Sequence, residues 1–138
     1  MDDDHRRPPG TSDAVVEAVG KVSEALEWIE RARGRLYDFH QMMGRADFIF
    51  GDAAEALEKA GCQEQAGLLR EEIVGRNVFN GRWTFQVVEE FEDCYYEPTR
   101  GAERQIRDQL MDGKRHVFEA ELKEKRRTDG HEAHTSRP

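Results

Sequence analysis

From Val15 onward the chain repeats an inward position every three or four residues. The line runs Val15, Val19, Val22, Leu26, Ile29, Arg33, Leu36, His40, Met43, Asp47, Phe50, Ala54, Leu57. Alternating steps of four and three keep one stripe of a helix against a partner helix turn after turn. A second line joins it through Trp28, Ala32, Phe39, Met42, Ala46, Ile49, Ala53 and Ala56. Two adjacent stripes make a broad face, so this element is expected to pack against two helices. One helix over 13–60 would be roughly 70 Å long at 1.5 Å per residue. A compact domain of this size would struggle to cover it. Gly44 and the pair Gly51-Asp52 are therefore the expected breaks, with Asp52 as a fresh N-cap.

Ser12 or Asp13 caps the first helix, and Gly61 closes it as a C′ glycine. A shorter helix is expected over about 63–74, burying Ala66, Leu69 and Ile73. The stretch 75–83, GRNVFNGRW, is irregular, and Asn80-Gly81 is a strong turn signal that would make at most a tiny hairpin. A third helix over about 84–96 places Phe85, Val88, Phe91 and Tyr95 on one face, with Pro98 ending it or opening the next. The last helix spans about 99–127 and is bent at Asp112-Gly113. The pattern thus predicts an all-α fold, an antiparallel bundle of four to five helices with a long first helix. Residues 1–12 and 128–138 lack apolar anchors and read as disordered tails, leaving 13–127 as a single helical-bundle domain.

Composition fits this picture. The 138 residues are 37% apolar and 36% charged, the balance of amphipathic helices with heavily charged outer faces. A net charge of -8 disfavours a general nucleic-acid binder, which needs a clustered excess of Lys and Arg. The charge is uneven: Glu89, Glu90, Glu92, Asp93 and Glu97 stand without a base, whereas bases dominate from Lys114 to Arg127. Segments of opposite sign in a small domain face each other or a second copy. Cys62 and Cys94 are too few for a disulfide framework and too far apart for a CxxC site. Neither a signal peptide nor a membrane span is legible, so a soluble, cytoplasmic protein is expected.

Three constellations could carry chemistry. Arg33, His40 and Asp47 form a polar seam in the first apolar line. Seven residues is about 10 Å along a helix, so each needs a partner from another element. Glu89 and Glu92 are the expected partners of Arg33 and His40, with Glu72 as a further candidate. The same groups suggest a divalent-cation site, His40 with Glu89, Glu92 and Asp93, because carboxylates at i, i+3 facing an imidazole converge on one ion. A nucleotide-binding carboxylate motif would need Glu-Glu-x-x-Glu ahead of Glu90-x-x-Asp93, and Glu71-Glu72 is followed by Gly75 instead. The loop contributes Arg76, Asn77, Arg82 and Trp83, a possible surface for an anion or a stacked base.

No catalytic motif emerges, so the chain reads as a helical interaction module without a cofactor, binding a helical partner or associating with itself. Val15, Val19 and Val22 are the expected contact, on the reasoning that later helices are too short to cover them. The alternatives are a bundle enzyme using the divalent-metal site, and a nucleic-acid accessory using Arg76, Arg82 and the basic C-terminal helix.

Overall fold

The computed structural model describes residues 1–137 and is all-α. Its helices are α1 (Asp13–Lys59), α2 (Gln63–Glu72), α3 (Thr84–Phe91), α4 (Glu97–Met111) and α5 (Val117–Arg126). A five-residue π turn, Glu92–Tyr96, joins α3 to α4 without a loop. Pro98 lies in the first turn of α4 and lacks the N–H that a regular helix would bond to the preceding turn. The chain divides into two compact units, one of Met1–Glu30 with Tyr96–Pro138 and one of Arg31–Tyr95.

Helix α1 is unbroken across Gly44 and Gly51, contrary to the expected breaks. Apolar positions continue at helical spacing on both sides, and the added propensity cost of two glycines, roughly 1 kcal/mol each, does not outweigh that packing. The expected 99–127 helix is instead two. Asp112 and Gly113 adopt the left-handed conformation, with φ of 51° and 74°, and α4 stops at Met111.

In the first unit, the start of α1 runs antiparallel to α4. Val16 and Val19 share a core with Met111 and Val117, Ser23 bonds Glu103, and Glu30 bonds Tyr96. Val15 and Ile106 pack on the edge of that core. Ser12 is the N-cap of α1, its hydroxyl accepting from the Val15 N–H at 3.3 Å. Gly20 lies where α5 comes closest, since a Cβ there would sit 3.0 Å from Cβ of Phe118.

The tails are not the free arms that their composition suggests. Residues 3–5 form a 3-10 turn. Arg7 grips Glu121 through two 2.6 Å bonds, from Nε and from Nη2, and also reaches Asp13 at 2.7 Å. Beyond α5, Arg127 pairs with Glu124 and Asp129, and the Thr128 N–H donates to His134. Charged side chains substitute here for the missing apolar anchors. Pro138, the end of the expected C-terminal tail, lies outside the described residues.

In the second unit, α1 ends in a Schellman motif. Gly61 has φ +81°, its N–H bonds Glu58, and the Cys62 N–H bonds Leu57. The turn sends α2 back with Ala66 buried, and Arg70 pairs with Glu58. Residues 75–83 contain one isolated bridge, Phe79 with Arg82, closed over Gly81 at φ +68°. Helix α3 then runs antiparallel to the second half of α1.

Candidate functional site

The polar seam is resolved along that antiparallel pair. Arg33 meets Glu92, His40 meets Thr84, and Asp47 meets the backbone of Gly75. Each seven-residue step along α1 is matched by a step of eight or nine backwards on the returning chain. Antiparallel pairing at helical rise accounts for the step from Glu92 to Thr84 within the helix, and the irregular loop carries the chain on to Gly75.

Arg33 donates to Oε1 of Glu92 from Nε at 3.1 Å and from Nη2 at 2.9 Å. The Tyr37 hydroxyl donates to the same oxygen at 2.5 Å, and the Arg33 guanidinium lies 5.5 Å from the Tyr37 ring centre. Glu92 is the first residue of the π turn. The Tyr37 hydroxyl and then Arg33 hold its carboxyl below the usual range. That carboxylate in turn pushes the Tyr37 phenol up.

His40 corrects the sequence expectation. Its Nδ1 lies 2.6 Å from Oγ1 of Thr84, not on a carboxylate. One step of the seam past Glu92 arrives at the start of α3, where the chain offers a hydroxyl. Asp47 accepts the Gly75 N–H at 2.8 Å, which fastens the start of the irregular loop. Glu89 is exposed, outside the seam.

The expected cation set is not assembled. Among the described residues, His40, Glu89, Glu92 and Asp93 do not gather three ligand atoms within 4.8 Å of one another. A different trio does: Glu27, His116 and Glu119, all exposed. His116 and Glu119 stand three residues apart in the sequence, but nothing in the pattern points to Glu27, which comes from another helix. No buried shell orients these three side chains, so they remain solvated groups.

In the loop, Arg82 pairs with Glu90, and Arg76 lies 3.7 Å from Glu72. Both arginines thus stand beside carboxylates, which weakens their pull on an anion. Asn77 lines a groove of about 580 Å³ with Met43, Phe50, Ile73, Arg76 and Trp83. Trp83 is 60% exposed and packs edge-on against Phe85 at 5.2 Å. Its backbone N–H donates to the Gln86 side chain, which caps α3.

The apolar surface falls in a different place from the expected one. Val16 and Val19 are buried and Val15 and Val22 are partly covered, because α4 turns back at Asp112 and brings Met111 and Val117 onto them. The strip at 15–22 is therefore not an open contact. The second apolar line of α1 is open in part: Met42 is 62% exposed, Ile49 54%, and Ala56 is exposed, while Phe39, Ala46 and Ala53 are partly covered. The chain matches no family model, no curated protein and no solved structure. Among the described residues, no helix is long and apolar enough to cross a membrane.

Proposed function

We propose that this chain is a helical interaction module that associates with itself. The observation that carries the reading is surface. Within the second unit Met42, Phe48, Ile49 and Trp83 are each more than half exposed. Open faces of Met, Ile, Phe and Trp are rare on proteins that work as monomers. Among the described residues the core is small, with eight buried apolar residues.

The polar seam supports the structural half of this reading. Its three α1 residues are occupied by Glu92, Thr84 and Gly75, which aligns the returning chain instead of leaving a reactive group free. A metal-using bundle enzyme and a nucleic-acid accessory have less behind them. The first lacks an assembled ligand set at His40, and the loop arginines of the second stand beside Glu72 and Glu90.

Sedimentation equilibrium of the full chain between about 1 and 100 µM tests the proposal. A mass above 16.0 kDa that rises with concentration is expected. A constant 16.0 kDa across that range overturns it.

A further inference from the structure

The second apolar line of α1, exposed at Met42, Ile49 and Ala56 and partly covered at Phe39, Ala46 and Ala53, specifies more than a tendency to associate. Resting on the self-association reading, the geometry points to one arrangement: an antiparallel two-fold pair in which α1 of a second copy lies along this line.

Phe39, Met42, Ala46, Ile49, Ala53 and Ala56 are spaced 3-4-3-4-3, the seam of a helix pair. They lie about 90° around α1 from the stripe that packs inside the unit, by the 100° turn per residue of an α-helix. Consistent with this, the stripe that packs inside carries Arg33, His40 and Asp47, while the outer one contains no charge between Phe39 and Ala56.

Side-chain size selects the register. When Ala46 faces the second copy's Ile49, Met42 faces its Ala53 and Phe39 its Ala56. Every layer then sets one large side chain against one small one, and the two-fold axis repeats each layer. Interdigitating large with small is how a helix interface reaches native density. A slip of one heptad loses the match. In one direction Ala46 meets Ala56 and leaves a void, and in the other Phe39 meets Ile49 and is overpacked.

Charge selects the same register independently. Asp38, Arg45, Asp52 and Lys59 flank the seam on one edge, at intervals of seven and with alternating sign, and all are exposed. In antiparallel pairs this edge meets its own counterpart. The register chosen by size sets Arg45 beside the second copy's Asp52, and Asp38 beside its Lys59. Within the chain Asp38 also lies 3.6 Å from Arg35, and Lys59 2.8 Å from Glu55, so Arg45 and Asp52 carry the selection most directly. One heptad slip puts Asp52 against Asp52 and Arg45 against Lys59. The opposite slip puts Arg45 against Arg45 and Asp38 against Asp52. A parallel pair would set this edge against Met43, Phe50 and Leu57, which carry no charge. Both signals therefore favour one orientation and one register, a self-complementary contact of the two-fold kind.

Charge exchange tests this. Sedimentation velocity on the full chain compares wild type with Arg45→Asp, Asp52→Arg and the double variant. Each single reversal places like charges together twice per dimer and should weaken association by about tenfold or more. The double variant restores opposite charges across the axis and should return to within about threefold of wild type. Singles without effect, or a double no better than the singles, overturn the arrangement. If wild type nevertheless associates, only this seam is lost, whereas a monomeric wild type removes self-association as well. Circular dichroism melts confirm that each variant is folded. As a second measurement in a Cys62→Ser/Cys94→Ser background, chains carrying Ala46→Cys are mixed with chains carrying Ile49→Cys and oxidised. Faster cross-linking in the mixture than in either chain alone supports the register, and equal rates overturn it.

Discussion

Arg33 and Glu92 meet through a single oxygen: Nε and Nη2 of the arginine both end on Oε1, which also accepts the Tyr37 hydroxyl. Three donors on one acceptor make this the most heavily bonded point between α1 and the returning chain in the second unit. Arg33 and Glu92 retain 33% and 27% of their side-chain exposure, so water screens the pair and its contribution is that of a partly solvated bridge. Arg33→Ala should lower Tm by about 2–5 °C, a modest loss for a chain of this size. Tyr37→Phe should cost less, since Arg33 still satisfies the carboxylate. Thermal unfolding by circular dichroism measures both, and an Arg33→Ala change under 1 °C would show the bridge to be idle.

The same cluster fixes a pH dependence. Glu92 titrates below its usual range, so its contribution is complete above the unfolded carboxyl value and is lost as pH falls through the folded one. Tyr37 titrates above its usual value, so its contribution is complete below the unfolded phenol value and fades as pH rises past it. Between roughly pH 5 and 9 both are intact. Glu92→Gln should therefore melt below wild type at pH 7, and the gap should narrow as pH falls below the unfolded carboxyl value of about 4 toward the lower folded one. A gap that stays constant down to pH 3 would contradict the assignment.

The long first helix is legible in the sequence because its apolar line never changes period between Val15 and Leu57. Partners are legible only where the returning chain carries a group of the right chemistry. Arg33 and Glu92 are such a case, being oppositely charged at matching positions. His40 is not, because its partner depends on how far the loop at 75–83 shifts the start of α3, and a one-dimensional pattern does not contain that offset. The bend at Asp112-Gly113 is legible in the sequence, but not its sharpness: a left-handed turn that begins on a non-glycine residue brings Val117 back onto Val16 and Val19. The second stripe is read as apolar, and the structure leaves Met42 and Ile49 on it exposed while Phe39, Ala46 and Ala53 are partly covered.

Glu103 is the buried charge of the first unit, 7% exposed and held by Ser23 at 3.1 Å and Arg107 at 2.9 Å. Arg107 in turn donates to the Gly113 carbonyl, so it ties α4 to the turn that follows. Removing Arg107 strands a carboxylate away from water. Arg107→Ala should cost about 3 kcal/mol, the scale for breaking a buried pair from one side. The double variant Glu103→Met/Arg107→Met should cost less than the single one, because an apolar pair leaves no uncompensated charge. Urea unfolding of the three proteins decides this, and a double variant less stable than Arg107→Ala would refute it.

Three of the four glycines inside α1 separate backbone propensity from packing. Gly44 and Gly51 have nothing within 4 Å of where a Cβ would stand, whereas at Gly20 the Cβ of Phe118 is 3.0 Å away. Alanine relieves the conformational entropy that glycine spends in a helix, a gain of roughly 0.5–1 kcal/mol at an open position. Gly44→Ala and Gly51→Ala should each raise Tm by about 2–4 °C. At Gly20 the same gain is opposed by contact with an atom one bond from the α5 backbone, which a rotamer change cannot remove. Separating the helices there would loosen the core of Val16, Val19, Met111 and Val117. Gly20→Ala should therefore lower Tm while the other two raise it. Melting curves of the three variants check the opposite signs, and a Gly20→Ala protein as stabilised as Gly44→Ala would mean that α5 does not press on α1 at this point.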